Sequence, residues 1–341
     1  MFRVFPRDAR VPARIRTLVP VCVLAAAGVL ILGMVREQTG TPGFLVGLGL
    51  AVLPVPALMA VFRWLGPAAR TWPQLLFCFA WGACAAALIA IVANSVATRW
   101  IAAATTDPYD ADQLGSIAIA PVVEECAKAA ALLLIHLFRR GRPGNGFTDG
   151  LAVAGFTATG FAFTENILYL GSAFGEDMDS GLPFPAGVPD SLTAATFFVR
   201  IVMSPFAHPL FTVLTGIGFG WAAAARSGRG RCAFPLLGLA CAMAAHALWN
   251  SSSELGEHGF HLVYGTVMVP VFTLLTWLAV RARRAAGPDR PDCPDEPEEL
   301  EEAEEADGTA GLRRSGPCPA ATPADPASLR PSGPPGAGGR P

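Results

Sequence analysis

Eight apolar runs, each close to the ~20 residues that cross a bilayer, recur along this chain at about 18–35, 43–62, 73–98, 114–138, 147–172, 204–225, 232–253 and 260–280. A backbone in lipid must satisfy every N–H and C=O internally, so such runs fold as helices. The fold class expected is therefore an all-α polytopic membrane protein with eight transmembrane helices. Composition agrees: 52% of the 341 residues are hydrophobic and 15% charged, against about 25% charged in soluble domains. A further apolar stretch, 191–203, either extends the sixth run or lies along the surface. The first run follows five arginines, but no small-x-small cleavage site succeeds it, so it reads as a span rather than a signal peptide.

Charge sets the orientation. The basic residues are 24 Arg and one Lys, Lys128. Sixteen of the arginines fall before the first run or in alternate connections, around Arg63 and Arg70, Arg139 to Arg142, Arg226 to Arg231, and Arg281 to Arg284. The other connections hold Arg36, Arg99 and Arg200 beside acidic stretches such as DPYDAD at 107–112 and GEDMD at 175–179. The excess of arginine on one side places both termini in the cytoplasm. Three parts follow: a basic N-terminal segment, 1–17; a membrane domain, 18–284; and a tail, 285–341. The tail is acidic and then rich in Pro and Gly, a composition that predicts disorder. No nucleic-acid-binding pattern and no soluble catalytic domain is present, so any chemistry sits in the membrane part. The eight cysteines include no CxxC and read as small hydrophobes.

The polar residues inside the runs are the informative ones. IAPVVEECAKAAALLLIHLF, 119–138, carries Glu124, Glu125 and Lys128 near its middle. A charge at mid-membrane costs roughly 2.5–3.5 kcal/mol even on mild insertion scales, and intramembrane ionisable residues are functional by default. Helical geometry sets Lys128 about 40° round from Glu124 and about 60° from Glu125, one turn away, so one ammonium partners either carboxylate. With the topology above and ~1.5 Å rise per residue, four antiparallel helices bring the glutamate pair, Glu165 and Asn166, His208, and His246 with Asn250 into one layer. That layer lies roughly 5–15 Å below the outer edge. His246 and Asn250 are i,i+4, as are His208 and Thr212. Two histidines and a carboxylate suit zinc with one position open for water. Asp149 is expected to cap the fifth span, Pro54 and Pro56 to kink the second, and Pro205 and Pro209 to give an irregular helix start around His208. Arg200 reads equally as a partner for a buried carboxylate or as an interfacial arginine.

At these residues the sequence resembles the PrsW-type intramembrane proteases. EECAK at 124–128 is similar to their EExxK motif, FAFTEN at 161–166 to FxxxEN, HPLFT at 208–212 to HxxxT and HALWN at 246–250 to HxxxN, in the family's order and within 110–255. A wider group, with the CAAX prenyl-proteases and bacteriocin-immunity relatives, carries EExxxR; the shorter spacing to Lys128 resembles the PrsW branch. The resemblance implies a membrane-embedded endopeptidase of a bacterial plasma membrane, with zinc as cofactor. It implies a membrane-anchored protein substrate, an anti-sigma factor being the family's example, cut near the extracytoplasmic face. The expected roles are Glu124 as general base, His208, His246 and Glu165 as metal ligands, Glu125 and Lys128 as charge balance, and Asn166 and Asn250 either as hydrogen-bond donors to the oxyanion or as residues that orient the ligands. The sequence does not choose between Glu124 and Glu125 as base. Two other readings stand beside the protease: an ion-coupled transporter, since carboxylate, His and Lys chains also relay protons, and a catalytically silent binding or immunity-type protein.

Overall fold

Every apolar run becomes helix in the computed structural model, which describes residues 13–67, 70–104, 112–138, 146–180, 191–256 and 258–285, and no strand occurs among them. We label the helices α1 (Ala13–Ala51), α2 (Val55–Leu65), α3 (Trp72–Ala104), α4 (residues 112–138), α5 (Gly146–Asp179), α6 (residues 192–203), α7 (Ala207–Ala224), α8 (Gly228–Asn250) and α9 (Gly259–Ala285). The N-terminal segment up to residue 12, most of DPYDAD, the arginines at 139–142 and the tail from 286 lie outside the described residues.

Six stretches are long and apolar enough to cross a membrane: Leu18–Leu65, Trp72–Ala104, Gly146–Asp179, Leu192–Ala224, Gly228–Ser253 and Gly259–Ala285. The expected eight differ from this at two places, each for a physical reason. Residues 18–65 form one 48-residue stretch, because helix continues past the expected break and only Gly40 leaves helical geometry, at φ 69° and ψ 165°. That left-handed φ is open to glycine and strained for other residues. The second difference is α4, whose middle carries Glu124, Glu125 and Lys128. Its charges lower its hydropathy, yet all three side chains are buried within the protein.

The centre of the molecule is α5, with 83% of its most apolar window buried. Its glycines explain how so many helices reach it. Gly146 and Gly150 are i,i+4, as are Gly216 and Gly220 of α7, and the two pairs face each other. A Cβ on Gly150 would strike the carbonyl oxygen of Gly216, and one on Gly146 that of Gly220. This small-xxx-small packing replaces the hydrophobic drive that lipid does not supply. On another side Gly160 abuts the Phe79 backbone of α3, and Gly171 abuts Gly43 of α1. The stretch from Gly43 to Gly66 runs antiparallel to α5: Gly43 and Gly47 meet Gly171 and Ile167, and Gly66 meets Ala152.

Two further ties fix the ends of α5. Asp149, expected as a cap, sits in the first turn but binds Arg70 through two hydrogen bonds, Nε to Oδ1 at 2.5 Å and Nη2 to Oδ2 at 2.7 Å. At the other end Asp177 accepts from Ser191 Oγ and from the backbone N–H of Leu192 and Thr193, which pins the start of α6. The chain breaks as expected around the prolines. Residues 52–54 form a turn before α2, and α6 ends in a π-helical turn, Phe198–Met203, separated from α7 by Ser204 to Phe206. π-Turns cluster at functional sites, and this one delivers Arg200 on one side of the break and His208 on the other.

Candidate active site

Six helices, α3 to α8, converge on one cluster. Three side chains of α4 point to its centre: Glu125 and Lys128 are fully buried, and Glu124 is 6% exposed. Lys128 Nζ lies 3.0 Å from Glu125 Oε1 and 3.5 Å from Glu124 Oε2, so the single ammonium serves both carboxylates unequally. It also sits 3.7 Å from the centroid of the Phe161 ring, a cation–π contact that helps offset its desolvation.

The two carboxylates have different surroundings. Both oxygens of Glu125 are engaged: Oε1 by Lys128 Nζ and by His246 Nδ1 at 3.2 Å, Oε2 by Thr212 Oγ1 at 3.0 Å. Glu124 takes one long bond on Oε1, from Asn94 Nδ2 at 3.4 Å, while its buried Oε2 makes no hydrogen bond. An orphaned, buried carboxylate oxygen is costly unless a cation or donor joins it.

The histidines bracket that oxygen. His246 lies against the Phe211 ring, centroids 4.8 Å apart, and at 5.3 Å from the His208 ring. Its Nδ1 faces Glu125 and its Nε2 stands 3.9 Å from Glu124 Oε2. A histidine held by a carboxylate through one nitrogen, with the other directed inward, is the arrangement metal-binding imidazoles adopt. His208 Nδ1 lies 3.2 Å from Lys128 Nζ and its Nε2 2.5 Å from Glu165 Oε2. An ammonium only donates, so Nδ1 accepts and Nε2–H donates to Glu165; a metal held by His208 would take the place of one of these two bonds. Glu124, His208 and His246 each offer one donor atom, and the three atoms lie within 4.8 Å of one another.

Glu165 is therefore placed beside this trio rather than within it. Its carboxylate is held by Arg200 Nη2 and by His208, while Arg200 Nε donates to Asn166 Oδ1 at 2.7 Å. Glu124, Glu165, His208, His246 and Asn250 line a common cavity of about 250 Å³. Asn166 is buried against Arg200 and is not part of its wall. Asn250 is half-buried and donates to the Ser116 carbonyl of α4 at 2.8 Å. The donor set fits a divalent metal: two imidazoles and a carboxylate oxygen that makes no hydrogen bond, at mutual distances that one ion spans.

Sequence motifs missed part of this wall. Asn94 and Thr98 of α3, Tyr169 of α5 and Arg200 of α6 also line the cavity. Asn94 and Thr98 are i,i+4 in an apolar helix, a spacing that puts two polar groups on one face and was the available signal.

Over residues 70–275, more than half its length, the chain matches the family described as PrsW family intramembrane metalloprotease. No curated protein and no solved structure matches it.

Proposed function

Because this chain belongs to the PrsW family of intramembrane metalloproteases, and so is a peptidase, we propose that it hydrolyses a membrane-anchored protein near the extracytoplasmic face of a bacterial plasma membrane. The observation that carries this reading is the convergence of Glu124, His208 and His246 from three helices, donor atoms within 4.8 Å, in a cavity shared with Glu165. A single-span protein such as an anti-sigma factor is the substrate class we propose, with the cavity beside Glu165 and Tyr169 in the half of α5 that the topology proposed below turns outward.

The topology proposed is eight crossings with cytoplasmic termini. Its support is that Gly43 to Gly66 retrace α5 from Gly171 to Ala152, so that Leu18–Leu65 turns back at Gly40. The buried charges of α4 face protein rather than lipid, which removes the energetic objection to that helix as a span.

Zinc is the metal we propose, held by Glu124, His208 and His246. When bound, it supplies Lewis-acid polarisation of the scissile carbonyl and acidifies a water. The chain's own residues do the remainder. Glu165, fixed by Arg200 and His208, accepts the proton of the attacking water. The water oxygen bonds to the carbonyl carbon, and the carbonyl π pair moves onto oxygen. The C–N bond then breaks as the proton passes from Glu165 to the departing nitrogen, leaving one fragment with a new carboxylic acid, which retains the second proton of the water, and one with a new amine. Glu125 orients His246, and Lys128 and Thr212 hold Glu125. This assignment exchanges the roles that the sequence pattern pointed to for Glu124 and Glu165.

Metal content and cleavage of a single-span reporter in proteoliposomes test the assignment. Glu124→Gln is expected to lose both metal and cleavage, and Glu165→Gln to keep metal and lose cleavage. The opposite pattern of metal loss would return Glu165 to the ligand role. Full cleavage by both variants would place the reaction elsewhere.

A further inference from the structure

We infer that Arg200 is a catalytic residue, the cationic donor that receives the negative charge developing on the carbonyl oxygen of the cut bond. The inference rests on the peptidase reading above and adds to it a group that no motif of the sequence covers.

Three contacts immobilise the guanidinium. Nε donates to Asn166 Oδ1 at 2.7 Å, Nη2 donates to Glu165 Oε2, and the guanidinium carbon lies 4.1 Å from the centroid of the Tyr169 ring. Those partners are i, i+1 and i+4 on α5, so one helix face fixes the plane of the group. The third nitrogen, Nη1, makes no hydrogen bond to the described residues, and the side chain keeps 21% exposure. Arg200 lines the same cavity as Glu165, His208 and His246.

A donor whose orientation is set before the reaction begins stabilises developing charge without reorganising, and this effect is strongest where water is scarce. Asn166, expected as an oxyanion donor, instead presents its oxygen to Arg200 and so serves to aim it. The same arginine that steadies the proton acceptor thus turns toward the reacting carbonyl the two N–H groups of Nη1, which no described residue engages. As water attacks and the π pair moves to oxygen, Nη1 donates to that oxygen. When the C–N bond breaks and the carbonyl re-forms, the bond weakens again, with no proton leaving the guanidinium.

The test compares two peptides of one apolar sequence in zinc-loaded protein: the ordinary amide, and a phosphinic analogue whose tetrahedral, anionic centre mimics the addition species. Wild type is expected to prefer the phosphinic peptide. Arg200→Gln is expected to cut that preference by about 10²–10³-fold, the usual cost of one oxyanion donor, with amide affinity and zinc content kept. Arg200→Lys retains a cation for Glu165 but not the planar fork that also binds Asn166, so it guards against misfolding. It is expected to show the same loss of preference. Tyr169→Leu removes only the ring beneath the guanidinium and is expected to lose about tenfold.

An unchanged preference in Arg200→Lys and Arg200→Gln overturns the inference, leaving Arg200 as a holder of Glu165. It is overturned equally if wild type cleaves the amide yet shows no preference for the analogue. If neither peptide binds or is cleaved, both the inference and the peptidase assignment of this cavity fall.

Discussion

His246 Nδ1 lies 3.2 Å from Glu125 Oε1, and this contact leaves the opposite nitrogen, Nε2, 3.9 Å from Glu124 Oε2. One imidazole therefore separates the adjacent glutamates into a carboxylate that is fully engaged and one that keeps an oxygen without a hydrogen bond. The two side chains are neighbours in sequence and unlike in chemistry.

That separation predicts opposite phenotypes. Glu125→Ala strips the fully buried Lys128 of its closest counter-ion and is expected to destabilise the fold by about 3–5 kcal/mol, as one-sided removal of a buried partner does. With both proteins stripped of metal, Glu124→Gln, which loses one long hydrogen bond and a weak ion pair, is expected to cost less than about 1 kcal/mol. Denaturation in detergent monitored by tryptophan fluorescence distinguishes them; equal losses would refute the division of labour.

Metal removal provides a second check. Chelation of purified protein is expected to abolish cleavage and lower the melting temperature, because an ion that binds only the folded state adds its binding free energy to stability. Zinc should restore both. His246→Ala should show the lower melting temperature from the start and no response to either treatment.

Packing at the heart of the bundle gives a third. Gly150→Leu and Gly216→Leu drive a side chain into facing backbone and are expected to prevent folding or to lower stability by several kcal/mol, at or above the roughly 1–3 kcal/mol of ordinary overpacking. Gly175, on the same helix, has open space around an added Cβ. Gly175→Ala is expected to stabilise by about 0.5–1 kcal/mol. A comparable effect at Gly150 and Gly175 would show that the close approach is not needed.

Topology gives a fourth. Alkaline phosphatase fused after Thr41 is expected to be active, and fused after Pro67 inactive, since residues 43–66 return along α5. Equal activity at both sites would mean that Leu18–Leu65 does not turn back in the membrane.

What the sequence made legible was the periodic and the charged. Helical spacing alone put Lys128 within reach of both glutamates, and the matching depths of Glu165, His208 and His246 announced a shared layer. The difference between Glu124 and Glu125 was not legible, because it depends on Thr212 and His246, 87 and 121 residues away from Glu125. Asp149 looked like a cap because its partner, Arg70, is 79 residues distant, and arginines between spans read naturally as loop charges. Length and apolarity do not divide Leu18–Leu65 into two spans, because one glycine, Gly40, and not a run of polar residues, interrupts the helix there. Arg200 stayed ambiguous for the same reason as Asp149: its three partners sit on a helix that no local pattern ties to α6.

The wedging of α5 has a bearing on how a polypeptide enters. Its backbone touches that of α1, α3 and α7 through glycine on separate sides, so rotation or sliding would disengage three neighbours together. The helix acts as a keel. Whatever opens to admit a guest must come from the outer staves, of which the spans of α8 and α9 are the least buried, each with only 17% of its most apolar window covered.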